Sequence, residues 1–127
     1  MKEKNTKTSI RIFADGAGQG PNGKASGFAW IREATGEKHI ERINGLTNNE
    51  AEYRAVISAL KPLRPGCNVE VITDSLLVVS QLRGEYRILD SKLVKLASEV
   101  RTIVERKRLN LKLTWIRRKD NPAGRLL

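Results

Sequence analysis

The chain has 127 residues, with 24 Lys and Arg against 14 Asp and Glu, for a formal net charge of +10. That length suffices for one domain with its own core, the single Cys67 excludes an internal disulfide, and no apolar stretch approaches the ~20 residues of a membrane span. The cationic excess points to a polyanionic partner, nucleic acid above all, in preference to charge kept only for solubility. The opening residues 1–7, MKEKNTK, are polar and lack the hydrophobic segment of a secretory signal. The expectation is a cytoplasmic protein with no membrane association, frayed over 1–7.

Residues 9–14 alternate apolar and polar and predict a half-buried strand that ends at Asp15, before the glycine-rich run Gly16-Ala17-Gly18-Gln19-Gly20. A second strand is predicted over 26–31. The turn Thr35-Gly36-Glu37 leads to a third over 38–43, so three antiparallel strands open the fold. Thr47-Asn48-Asn49 supplies cap chemistry for a helix over 50–63, closed by Pro62, Pro65 and Gly66. A buried strand follows over 69–73, then Asp74-Ser75 capping a helix over 76–82. Ser91 caps another helix, whose apolar residues recur at helical spacing, and a last strand is predicted over 111–116. Asn121-Pro122 has the signature of one more helix. The order βββαβααβα predicts a mixed sheet flanked by helices.

Three carboxylates occupy costly positions. Glu52 lies three, four and seven residues before Ala55, Val56 and Ala59, on or beside the packing face of its helix, where an unpaired carboxylate is expensive. Asp15 and Asp74 each end an apolar strand, at the sheet edge where open α/β sheets hold ligands. Each has a plain alternative: Asp15 as a turn residue, Glu52 paired with Arg54 or another cation, Asp74 as an N-cap. Convergence of all three would require divalent cations, and oxygen-only donors favour Mg²⁺ or Mn²⁺ over Zn²⁺. A hard-metal site on a strongly basic domain suggests phosphoryl transfer on nucleic acid, with two metals about 4 Å apart.

The segments Asp15-Gly16-Ala17 with the Gly20-Pro21-Asn22-Gly23 turn, Thr47-Asn48-Asn49-Glu50-Ala51-Glu52-Tyr53, Ile72-Thr73-Asp74-Ser75 and Gln81-Leu82-Arg83-Gly84-Glu85-Tyr86 resemble the type 1 ribonucleases H, in order along almost the whole chain. The resemblance implies a ribonuclease H-like α/β fold, in which a five-stranded mixed sheet (three antiparallel strands, then two parallel) is flanked by helices in a single catalytic domain. It also implies Mg²⁺-dependent endonucleolytic cleavage of the RNA strand of an RNA/DNA hybrid by two metal ions, with Mn²⁺ as a substitute, leaving 5′-phosphate and 3′-hydroxyl ends. The protein is then expected to be a monomer with no obligate protein partner.

By the same resemblance, Asp15, Glu52 and Asp74 match three of four metal-binding acids. Thr47, Asn48 and Asn49 match positions that hold the nucleic-acid backbone. Asn22 and the amides of Gly16 and Ala17 match an RNA-facing turn that would read 2′-hydroxyls. Leu76 departs from the polar residue expected after Asp-Ser. The fourth acid has no obvious counterpart. In one register Asn121 takes its place as a catalytic metal ligand. In another Asn121 is a cap and Arg125 falls on the acid. The first is preferred because an amide oxygen can ligate Mg²⁺ whereas arginine repels it, and Asp120 is a further candidate. No loop histidine is present, His39 lying in a strand. Arg117, Arg118 and Lys119 stand there instead, with Arg118 placed to contact the scissile phosphate. The alternatives are a hybrid-binding module without cleavage, or another nuclease of the same fold.

Overall fold

The computed structural model describes residues 9–127, with the side chain of Asn22 outside the described atoms, as are the residues 1–7 expected to fray. Five strands and three α-helices follow in the order β1 (Ile10–Ala17), β2 (Ser26–Arg32), β3 (Lys38–Ile43), α1 (Asn48–Leu60), β4 (Asn68–Thr73), α2 (Leu76–Leu82), α3 (Ser91–Lys107) and β5 (Asn110–Trp115). The sheet order is β3-β2-β1-β4-β5. β1, β2 and β3 pair antiparallel, whereas β4 lies parallel to both β1 and β5. This is the expected mixed sheet, with short turns joining the antiparallel strands and helices carrying the parallel crossovers.

Several boundaries differ from the sequence reading. β1 runs on past Ala14 to Ala17, because Asp15, Gly16 and Ala17 keep pairing with β2 (Gly16 opposite Phe28) while Gly16 lies under α1. α1 stops at Leu60, ahead of Pro62, which cannot continue the helical hydrogen bonding. The cap of α3 is Asp90, not Ser91. Its carboxylate accepts from the amides of Lys92 (2.7 Å) and Leu93 (3.3 Å), a reach that leaves Ser91 as the first helical residue. The final helix is a 3₁₀ turn over Pro122–Leu126, with Gly124 at its centre disfavouring an α-helix.

α1 packs on β1 and β2, and α3 packs on α1. Ala51, Tyr53, Ala55, Val56, Ala59 and Leu60 of α1 meet Ile12 and Ala14 of β1 and Phe28 and Trp30 of β2, while Leu93, Ala97 and Val100 of α3 complete the core. Each large side chain so buried contributes about 1.5–3 kcal/mol. Tyr53 is fully buried and donates its hydroxyl to Gln81 Oε1 (2.7 Å), which ties α1 to α2. His39 lies in β3, as expected, with its ring stacked on Trp30. Among the described residues no helix is long and apolar enough to cross a membrane.

Candidate metal centre and its groove

β1 and β4 are parallel neighbours in register Ala14↔Thr73, so the residues that follow lie side by side, Asp15 still within β1 opposite Ala29 and Asp74 just beyond the end of β4. The chain departs from β1 toward β2 and returns through α1 to β4, which makes their shared carboxyl end a switch point of the kind where open sheets bind ligands. Glu52 arrives from α1 because Gly16 has no side chain. A Cβ on Gly16 would stand 2.3 Å from the Ala51 carbonyl carbon, so only glycine lets the helix backbone come this close. The Gly16 amide then donates to both Asp15 Oδ1 and Glu52 Oε1, each at 2.9 Å. Its N–H, expected to face RNA, is turned inward to orient two acids.

One carboxylate oxygen from each of Asp15, Glu52 and Asp74 lies within 4.8 Å of the others. Glu52 is only 8 % exposed. Burial, then Asp15, then Asp74 push its pKa up to about 9, against the Gly16 hydrogen bond. Burial and then Asp74 raise Asp15 to about 6, while the Gly16 amide and Arg118 pull the other way. Glu52 and Asp15, which resist ionisation, crowd together with Asp74 into a donor set that a hard divalent cation completes, and oxygen-only ligands fit Mg²⁺ or Mn²⁺.

The start of α1 borders this centre. Thr47 is the N-cap and forms a capping box with Glu50, accepting from its amide (3.1 Å) while Glu50 Oε1 accepts from the Thr47 amide (2.9 Å). Asn48 Oδ1 accepts from the Gly18 amide (2.6 Å), fastening the glycine-rich stretch to the helix start. Asn48, Asn49 and Ala17 line the groove above the acids together with Arg118.

Asn121 is 2 % exposed. Its Nδ2 donates to the Ala14 carbonyl (2.9 Å) and lies 3.4 Å from Asp74 Oδ2, while its Oδ1 accepts from the Ala123 amide as the cap of the last turn. The cap geometry is that of the second register. Asp120 is paired with Arg117 (3.1 Å) and lies outside the acidic cluster. A Cβ on Gly124 would come within 3.0 Å of Asp15 Oδ2, so glycine lets the last turn rest against the centre.

The groove has a volume of about 800 Å³, and Lys24, Arg118, Lys119 and Arg125 line it around the three acids. Lys24 escaped the sequence reading. It follows a turn and carries no motif, and only the folding of that turn over the end of β1 brings it to the site. Acids at the floor and cations around them match a phosphodiester, whose phosphates the cations would attract while the acids would hold a divalent metal ion.

A family model described as RNase H matches residues 7–120. A ribonuclease H of Methylobacillus flagellatus is 42% identical over 72 residues, covering 54% of this chain and 46% of that protein. One from Novosphingobium aromaticivorans is 32% identical over 117 residues, covering 84% of this chain and 80% of that protein. The chain spans about half the length of several curated relatives it matches. Among solved structures, LC11-RNase H1 in complex with an RNA/DNA hybrid superposes with a TM-score of 0.82 at 28% identity, covering 94% of this chain and 93% of that one.

Proposed function

The chain belongs to the ribonuclease H family, and from that premise we propose that it cleaves the RNA strand of RNA/DNA hybrids endonucleolytically, leaving 5′-phosphate and 3′-hydroxyl ends. The observation that carries the proposal is the meeting of Asp15, Glu52 and Asp74, from three separate elements, within 4.8 Å in a groove lined by cations. The hybrid bound to the similar LC11-RNase H1 supports the same class of substrate.

Asp15, Glu52 and Asp74 would hold the metal, with Asn121 beside them in the same site. When bound, a pair of Mg²⁺ ions, or Mn²⁺ in their place, supplies a water made nucleophilic at neutral pH and neutralises charge on the leaving oxygen. The Gly16 amide holds Asp15 and Glu52 in position so that neither carboxylate must reorganise when metal enters. Arg118, Lys119, Lys24 and Arg125 attract the phosphate backbone. Thr47, Asn48 and Asn49 grip that backbone at the start of α1, where the helix dipole favours phosphate. By the family resemblance, Ala17 and Asn22 would read the ribose 2′-hydroxyls that distinguish RNA from DNA. The balance of the reaction is one water added across P–O3′: a new P–O bond forms on the 5′-phosphate, and the 3′ oxygen leaves as a hydroxyl.

The amide of Asn121, in place of a carboxylate beside Asp74, favours as a second reading a hybrid-binding domain with weakened cleavage. Both are tested on a uniformly labelled hybrid against matched single-stranded RNA, duplex RNA and duplex DNA, in Mg²⁺ and in Mn²⁺. The preferred reading expects cleavage of the hybrid alone, abolished by Asp15→Asn and by Asp74→Asn with the circular dichroism spectrum unchanged. Salt-dependent hybrid binding without cleavage in either metal selects the second reading, and activity surviving both substitutions removes the metal assignment.

A further inference from the structure

We infer that Asn121 is a positioning residue, which holds Asp74 and the end of β1 through its amide nitrogen and does not ligate metal through its oxygen. The inference deepens the ribonuclease reading and rests on it for the effect on catalysis.

The surroundings of the side chain decide which way the amide points. Nδ2 faces two acceptors, the Ala14 carbonyl at 2.9 Å and Asp74 Oδ2 at 3.4 Å, whereas Oδ1 faces one donor, the Ala123 amide at 3.1 Å. Turning the amide over would set oxygen against two oxygens and N–H against N–H, leaving buried polar groups opposite like partners in a site where Asn121 is 2 % exposed. The oxygen that could reach a cation is therefore committed to capping the last turn.

The nitrogen has a position of equal consequence. Ala14 precedes Asp15 and pairs with Thr73, which precedes Asp74. One amide group thus bridges the two strand ends that carry two of the three acids. Gly16 orients Asp15 and Glu52 through its N–H, and Asn121 reaches the third carboxylate in the same way. The turn it caps brings Gly124 against Asp15. Hydrogen bonds to ligating carboxylates typically govern metal affinity or activity by about 10–100-fold.

The first measurement uses the unmodified protein. In ¹⁵N spectra the Asn121 side-chain NH₂ and the Ala123 backbone N–H are expected to exchange slowly with solvent, and to remain protected when Mg²⁺ is added to saturation. Release of both by Mg²⁺ would mean that the oxygen leaves its cap to bind metal, and overturns the inference. The second uses Asn121→Ser, which keeps a capping oxygen but is too short to reach Ala14 or Asp74. Its expected result is a kcat on hybrid lowered about 10–100-fold with KM within about threefold of the parent. A kcat equal to the parent's also overturns the inference. If the parent itself cleaves no hybrid, the ribonuclease reading falls, and the exchange measurement still decides what Asn121 does.

Discussion

Replacing Glu52 by glutamine is expected to stabilise the metal-free protein while abolishing hybrid cleavage. The Glu52 carboxyl is raised from its ordinary 4.5 to about 9 by burial and by its neighbours Asp15 and Asp74. The folded state therefore keeps a proton that the unfolded chain releases above its ordinary pKa. Stability is highest below that value and declines as pH rises toward the folded pKa, by about 1.4 kcal/mol per unit. At pH 7 the window crossed is about 2.5 units, a cost of about 3 kcal/mol. Glutamine keeps an oxygen to accept from the Gly16 amide, which lies 2.9 Å from Glu52 Oε1, and removes the ionisation. The variant should be about 3 kcal/mol more stable at pH 7 without metal, roughly 10 °C in Tm for a domain of this size, with the difference vanishing near pH 4. Saturating Mg²⁺ should raise the Tm of the parent and leave the variant unmoved. The assay is thermal unfolding followed by circular dichroism from pH 4 to 9, in EDTA and in Mg²⁺. A stability difference independent of pH, or a variant less stable than the parent at pH 7, would refute the reasoning.

Gly16→Ala should destabilise by about 3 kcal/mol, because its methyl would stand 2.3 Å from the Ala51 carbonyl carbon and force β1 and α1 apart; a urea midpoint equal to the parent's would contradict that packing. Thr47→Ala removes the hydroxyl that accepts from the Glu50 amide and should cost about 1 kcal/mol with an unchanged urea m-value. Arg118→Ala removes a groove cation that acts on Asp15. It should weaken hybrid binding and reduce the slope of log affinity against log salt by about one, and an unchanged slope would place Arg118 off the phosphates.

Local patterning made much of the fold readable. β3 over Lys38–Ile43 and α2 over Leu76–Leu82 fall where turn residues and apolar periodicity put them, and Thr47 caps α1 as its chemistry suggests. The misses occur where a distant element decides. The strand expected to end at Ala14 continues to Ala17 because β2 and α1 accept it there. Asp90 displaces Ser91 as a cap because its longer side chain reaches two amides. Nothing local marks Lys24 as a groove residue.

Composition and motif spacing already separated the informative acids from the rest: Asp15 and Asp74 each follow an apolar strand segment, and Glu52 sits on a buried helix face. Those are local properties of strand alternation and helical periodicity, and a sequence carries them directly. That the three meet within 4.8 Å was decided by tertiary structure, through the parallel register Ala14↔Thr73 and the close approach allowed by Gly16. The part played by Asn121 was decided there as well. Its amide contacts the Ala14 carbonyl, 107 residues away in the chain, and the direction of a side-chain amide is set by the donors and acceptors that folding puts around it.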